Sequence, residues 1–326
     1  MKIKITDIKK RLKTALKKKG FSAKDAALVA DEYMFGELEG KKSHGLMAFP
    51  SLLNKLNTNK KPYKIIKKTH SLLFIEANQN LGVVVANFAI PILVKMAKKE
   101  GIAIVCIKNM TTWLRPGFIA ELVANKNMIG IVVNNGGKLM TAPFGGYTPV
   151  IGTNPIGIGI PTKNNPIVVD MATSRLAWGR VKEAERDGKE LPANIFLDKY
   201  GNFTKDPQKA YSVIPMGDYK GFAIGLLIEI LTGSFLGRNM DLAKFKGDYQ
   251  TLTRGGIIIV LDPAKTTNIN SFKRANSLLV DRVRKSKRIK GAGKIFPPGD
   301  RDAKNRIAAT KKGKIEVDKK LWDVLI

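Results

Sequence analysis

GTNPIGIGIPTKNNPIVVDMATS, residues 152–174, decides how the chain folds. Two short β-branched runs, 156–160 and 167–170, read as strands. Gly157-x-Gly159 lies within the first of them. A Rossmann dinucleotide site needs Gly-x-Gly-x-x-Gly after a strand, so that a helix N-terminus meets the pyrophosphate. Here the third glycine is missing and no helix follows. Gly291-x-Gly293 fails in the same two ways, and no P-loop occurs. A dinucleotide bound by this chain is therefore bound by another architecture. The stretch ends in Asp170-Met171-Ala172-Thr173-Ser174, small polar residues between a strand and a helix. Backbone N–H groups and hydroxyls can hold a phosphate at such a junction. Simple helix capping by Thr173 or Ser174 explains the same residues, and on their own they favour capping.

Outward from this stretch, strand and helix patterns mix. Upstream lie a glycine- and proline-rich loop over 134–155, a strand over 128–133 and a helix over 118–125. Before those come a buried strand over 102–108, a helix over 81–100 and a short strand over 71–76. The long loop is a candidate functional loop by its length. The first sixty residues read as helices. Ser22 can cap one that starts at Ala23, with Asp25 near its positive end. A second follows Gly45, with Leu46, Phe49, Leu52, Leu53 and Leu56 on one face. Downstream, 175–188 is helical, 219–236 is a long apolar helix, 256–261 is a strand, and basic helices follow Pro263. The expected class is mixed α/β (α+β).

With 326 residues the chain has room for one large unit or two domains. Its 44% hydrophobic and 26% charged residues are ordinary for a globular protein and speak against disorder. The net charge of +30, from 57 Lys+Arg against 27 Asp+Glu, is not ordinary. It admits nucleic-acid or membrane binding, steering of anionic ligands, or lysines filling solvated faces. The last is favoured, because lysine outnumbers the arginine used for bidentate phosphate and base recognition, and because the excess forms no stripe. Nucleic acid is therefore not an expected partner. A single cysteine, Cys106, sits in an apolar run and reads as a buried thiol; it excludes an internal disulfide. With only His44 and His70, and no His-Glu-x-x-His, no metal site is expected. The basic N-terminal segment lacks the apolar core of a signal peptide. The apolar stretches 81–94 and 221–231 fall short of the ~20 residues that span a bilayer. They are expected to be buried helices in a cytoplasmic protein.

Three segments could carry chemistry. In Ser43-His44-Gly45, a histidine can exchange a proton with a carbonyl or alcohol oxygen at neutral pH, and Gly45 lets a substrate approach the backbone. A lone loop histidine is more often simply solvated. Gly152-Thr153-Asn154-Pro155 precedes the strand pair described above. In Pro215-Met216-Gly217-Asp218-Tyr219-Lys220-Gly221, Lys220 is a candidate anion contact, or a lysine reaching from a helix end to water.

Taken together, in order and spacing, these segments resemble the type-two malate/L-lactate dehydrogenase family of NAD(P)-dependent oxidoreductases. Glu229-Ile230-Leu231 and Pro298-Gly299-Asp300 extend the resemblance to nearly the whole chain. Within the family, Trp113-x-Arg115 looks most like the diketogulonate reductase branch. The resemblance implies a non-Rossmann fold with a helical domain from both chain ends (1–70 with 263–326) and a central α/β cofactor domain (71–262). It also implies a homodimer. It makes His44 the proton donor or acceptor. It places NAD or NADP on Val168, Val169, Asp170, Met171 and Ala172, on Tyr219 and Lys220, and on Gly299, Asp300 and Arg301. Asp170 is the expected orienter of His44. Ser43, Arg115, Thr153 and Arg180 are the expected substrate contacts, and the substrate a small anionic 2-keto or 2-hydroxy acid.

Two departures bear on that substrate. Ala48 stands where members usually carry an arginine suited to a carboxylate, and Thr112 where many carry a second histidine. Such a pocket should take a smaller, less acidic or differently placed substrate, with Arg115, Arg175 or Arg180 as possible replacements. The expected reaction is hydride transfer between nicotinamide and a 2-keto acid carbonyl, with His44 handling the proton. Its rivals are reduction of a cyclic imino acid and polyanion binding on a retired enzyme scaffold.

Overall fold

The structure, a computed structural model, describes residues 1–56, 61–237 and 254–325. Residues 57–60 and 238–253, which fall in the expected helical and central domains, lie outside the described residues, as does 326. The chain opens with strand β1 (Lys2–Lys4) and helix α1 (Ile5–Lys18). Ile8, Leu12, Ala15 and Leu16 of α1 are buried on one face, while its lysines stay largely outside. Helix α2 (Ala23–Leu38) begins as expected, its Asp25 N–H donating to Ser22 Oγ at 3.0 Å. Two 3₁₀ turns, Lys42–His44 and Leu46–Ala48, then lead into α3 (Phe49–Lys55).

The centre is built from β2 (Lys64–Lys68), β3 (Leu72–Glu76), α4 (Gly82–Glu100), β4 (Ile102–Met110), α5 (Pro116–Ala124) and β5 (Ile129–Asn134). It continues with β6 (Ile156–Ile160), β7 (Ile167–Met171) and α6 (Gly179–Asp187), which starts four residues later than the sequence suggests. Two-residue strands β8 (Phe196–Leu197), β9 (Phe203–Thr204) and β10 (Ser212–Val213) form a small sheet of their own. They are too short for alternation to reveal. Then come α7 (Tyr219–Thr232), β11 (Arg254–Leu261), α8 (Ile269–Arg284), α9 (Asp300–Lys312), β12 (Lys314–Glu316) and α10 (Lys319–Asp323).

The large sheet has the order β2-β3-β4-β11-β5-β6-β7. Only β3 and β4 pair in parallel; the other neighbours are antiparallel. A doubly wound dinucleotide fold is thereby ruled out, since it needs a mostly parallel sheet. The sheet starts with β2, ahead of residue 71. At the other extreme, β1 pairs with β12, and the Ile5 N–H donates to the Gly313 carbonyl at 3.0 Å. The two chain ends thus close on each other.

Register brings the candidate segments to one end of this sheet. Arg254, at the start of β11, pairs with Met110 at the end of β4. Gly256 faces Asn134 at the end of β5, and Ile156, which opens β6, faces Met171 at the end of β7. Glycines seat α5 on the sheet beneath this end. A Cβ on Gly157 would come 2.5 Å from the Pro116 carbonyl carbon, and one on Gly159 would strike the Ala120 carbonyl oxygen. The Gly-x-Gly pair therefore serves close helix–sheet packing.

One expectation needs correction. Helix α4 is buried as foreseen, but α7 is not. With the turn after it, Tyr219–Leu236 is long and apolar enough by composition to cross a membrane, and only 33% of it is buried. Gly221, Gly225 and Ile228 face inward, whereas Ile224, Leu226, Leu227 and Ile230 are exposed. The helix is tied to the sheet by Glu229, which accepts from Asn135 Nδ2 at 3.1 Å and Asn154 Nδ2 at 2.8 Å.

Candidate active site

His44 closes the first 3₁₀ turn, and its ring is half-buried. Its Nδ1 lies 3.0 Å from Ser43 Oγ. The turn is pressed against its surroundings on two sides. A Cβ on Gly36 of α2 would collide with the His44 carbonyl, and one on Gly179, where α6 begins, would lie 3.0 Å from Ser43 Cβ and 3.9 Å from His44 Cε1. Glu37 Oε2 accepts the Leu46 N–H at 3.0 Å and fixes the exit from the turn. Burial pushes the imidazole pKa down to about 4, reinforced by the Arg115 charge and opposed by Asp170. The ring is therefore neutral at physiological pH and ready to accept a proton.

Asp170, at the end of β7, bonds to Arg115. Arg115 Nε donates to Asp170 Oδ2 at 2.7 Å, and Nη1 donates to Glu39 Oε2 at 2.6 Å. The guanidinium is only 4% exposed and lies over the Phe35 ring at 5.3 Å. A Cβ on Gly117 would meet the Asp170 side chain at 2.5 Å, so this glycine leaves room for the carboxylate. Arg306 of α9 extends the chain of charges. It bonds Glu39 at 3.0 Å and Glu121 at 2.6 Å. Asp170 thus reaches His44 through its charge, and Arg115 is committed to two carboxylates inside the protein.

The segments expected to hold the cofactor run along β7 and its continuation. The Val168 N–H meets the Pro298 carbonyl at 3.4 Å, and a Cβ on Gly299 would touch the Val168 backbone. Past the strand, Met216 N–H donates to the Thr173 carbonyl at 2.9 Å and Ser174 bridges to Pro215, which brings up Tyr219 and Lys220. Tyr219, Lys220 and Arg301 are exposed. The Asp300 carboxylate is held by Arg284 Nε at 3.0 Å. Thr153 gives its carbonyl to the Thr173 N–H at 3.0 Å. Exposed Arg180 pairs with Glu183 at 3.0 Å. The donor set suits a nicotinamide dinucleotide. Strand β7 ends the sheet order, and its outer edge is covered at Val168 by Pro298 and Gly299, which leaves the backbone nearer Asp170 as the stretch that would suit a carboxamide. Lys220 and Arg301 are exposed cations that would suit a pyrophosphate.

Sequence reasoning missed several polar groups here. Glu39, Arg306 and Glu121 carry no local signal, because their partners are far away in the chain. Asn154 is fully buried with φ +34°, and it accepts the Gly136 N–H at 2.9 Å and donates to the Gly225 carbonyl and to Glu229. It braces the long loop against β6 and α7. Arg254, two residues ahead of the expected strand 256–261, opens β11 and carries no local signal either.

The fold is mixed α/β and non-Rossmann, and its His44 turn lies within electrostatic reach of Asp170 at the end of β7. The sequence profile described as malate/L-lactate dehydrogenase matches residues 3–326, and the chain belongs to that family. It is 37% identical over 316 residues to a malate/(S)-sulfolactate dehydrogenase of Methanothermus fervidus, covering 94% of this chain and 91% of that protein. The solved sulfolactate dehydrogenase of Methanocaldococcus jannaschii superposes with a TM-score of 0.87 at 32% identity, over 100% of this chain and 95% of the other. A dehydrogenase structure from Sinorhizobium meliloti gives 0.90 at 30% identity, over 100% and 97%. The chain is an enzyme, an NAD(P)-dependent dehydrogenase or reductase.

Proposed function

We propose that the enzyme interconverts a small 2-keto acid and its 2-hydroxy acid with NAD or NADP, using His44 as the proton acceptor and donor. The observation that carries this is the His44 ring itself. It is half-buried, oriented by Ser43, and within the electrostatic reach of Asp170 at the end of β7. A bound nicotinamide supplies or takes the hydride. In the oxidative direction the neutral imidazole takes the hydroxyl proton, and Asp170 stabilises the cation that results. In the reductive direction the protonated ring returns the proton to the carbonyl oxygen. An acidic substrate favours that protonated state by placing a negative charge nearby.

Val168 to Ala172, Tyr219, Lys220, Gly299 and Arg301 are assigned to the cofactor, with Asp300 fixing the turn through Arg284. Ser43, Thr153 and Arg180 are assigned to the substrate side. Arg115 acts through Asp170 and Glu39, as a positioning residue. The chain is divided into a helical layer from both chain ends, 1–70 with 263–326, less β2 (Lys64–Lys68), which joins the sheet of the central unit, 71–262. The exposed apolar face of α7 is the surface offered to a second copy in a homodimer, and the cytoplasm is the proposed location. The substrates named for the relatives, malate and sulfolactate, head the panel to be tried. Oxidation of lactate, malate and sulfolactate with NAD and with NADP, followed by nicotinamide absorbance, tests the reading. Turnover of at least one acid is expected. Turnover of a cyclic imino acid alone would move the assignment to an imine reductase, and turnover of nothing would remove it.

A further inference from the structure

Arg254 opens β11, the central strand of the large sheet, at the end where the candidate segments gather. It is half-buried. Its Nη1 donates to Thr112 Oγ1 at 2.7 Å, which is the one hydrogen bond its side chain makes among the described residues. No carboxylate among the described residues lies within ion-pair distance of it. Arg115 and Arg306 differ sharply in this respect, because each bridges two carboxylates. The chain also makes room for this guanidinium. Gly137 has φ +80°, and a Cβ there would lie 2.7 Å from Arg254 Nε.

The described neighbours do not neutralise the charge. Tyr33 is the ionisable group that bears on it most, and burial raises that phenol far above its ordinary range, so it stays uncharged. Glu32, beside Tyr33, is buried and pushed up to about 8; it accepts the Leu114 N–H at 2.8 Å. Burial pulls the guanidinium of Arg254 itself down to about 10, yet it remains cationic at neutral pH. A half-buried cation with no counter-ion among the described residues is costly. A guanidinium has five N–H donors in a planar fork that matches a carboxylate, and among the described residues most of them are left over.

We infer that Arg254 receives an acidic group of the substrate, bringing from the sheet the guanidinium that Ala48 does not supply from the helical layer. The inference rests on the redox reading above and names the specificity-determining residue of that same site. Thr112 then acts as a positioning residue that holds the fork toward the substrate.

The test uses the full chain with Arg254→Gln and Arg254→Lys. Pyruvate and oxaloacetate are reduced with NADH or NADPH, whichever the wild type uses. Cofactor affinity is read separately by fluorescence, and oxalate affinity by calorimetry on the cofactor-loaded protein. Arg254→Gln is expected to raise KM for the acid on the order of 100-fold. Oxalate binding should weaken in parallel while cofactor affinity stays within about 2-fold. Arg254→Lys should recover part of the loss, and added guanidinium should recover part of it in Arg254→Gln. Equal losses for both acids assign the fork to the carboxylate beside the carbonyl; a larger loss for oxaloacetate assigns it to the distal carboxylate. The melting temperature of Arg254→Gln should match or exceed that of the wild type, since an unpaired enclosed charge has been removed. Unchanged KM and unchanged oxalate affinity would overturn the inference. So would a loss that follows a lower melting temperature and weaker cofactor binding, which is the mark of a structural role. A wild type that binds cofactor but turns over neither these acids nor the hydroxy acids refutes the redox reading instead. The oxalate comparison still decides whether Arg254 takes an acid.

Discussion

His44 sits between opposing influences. Burial and Arg115 hold its pKa down to about 4, while Asp170 pulls upward. The His44→Ala variant should lose turnover by about 10²–10⁴-fold, the usual worth of a positioned acid–base group, with cofactor affinity unchanged. Steady-state rates and a fluorescence titration check both halves. The depressed pKa also has a sign for stability. The unfolded chain binds more protons than the folded one between about 6.5 and about 4, so His44 makes stability fall as pH drops through that window. Glu32 works the other way. Its folded pKa of about 8 lies above the ordinary carboxylate value of 4.5, so the folded state holds the extra proton and its contribution is lost as pH rises across that interval. Glu32→Gln keeps an acceptor for Leu114 and removes the titration. Its melting temperature relative to the wild type should therefore rise from pH 5 to pH 9, and a constant difference would contradict the assignment. At this scale His44 and Asp170 were legible because they stand in short motifs. The pairing of Arg115 with Glu39 was not, since the two lie 76 residues apart and nothing local signals a buried ion pair. Arg254 was hidden for a similar reason, because what marks it is a missing partner in space.

Among the elements, long helices and β-branched strands were readable from pattern. Helix α4 and strands β4 to β7 fall within a few residues of expectation. Strand β2, the β1–β12 pair and the small β8–β10 sheet were not readable. Lys64–Lys68 is exposed throughout and shows no apolar alternation, and the others hold two or three residues each. The glycines of β6 gained a clear meaning only from packing. Because a side chain at Gly159 would strike the backbone of α5, Gly159→Ala should cost about 1–3 kcal/mol by overpacking. By displacing α5 at Ala120 it should also disturb Arg115 at the N-cap of that helix, lowering activity more than an alanine elsewhere on the sheet surface. Denaturant unfolding and turnover measured on one preparation check this, and an unchanged midpoint would contradict it. Helix α7 shows where periodicity misleads. Its apolar residues go all the way round, so composition alone could not tell a buried helix from one with a free apolar face.

For the whole molecule, the family and its non-Rossmann class were legible from the order and spacing of motifs, and from the absence of a phosphate-binding glycine loop. The net charge of +30 was visible, but its consequence was not, since lysines on solvated faces and a field that gathers anions have the same composition. Both reactants proposed here are anionic. A positive field should raise their encounter rate and be screened by salt. Accordingly, kcat/KM for the acid should fall steadily as ionic strength rises, while kcat changes little. A flat profile would leave the lysines as solvated filling. The redox assignment itself is tested most directly by following the hydrogen. The enzyme is given a 2-keto acid and reduced cofactor deuterated at either of the two C4 positions, and the product is examined by mass spectrometry. Deuterium at C2 of the hydroxy acid from one of the two labelled cofactors, and loss of that product with His44→Ala, is the predicted result. No labelled hydroxy acid from either cofactor with any acid of the panel, or the same yield with His44→Ala, would contradict the account.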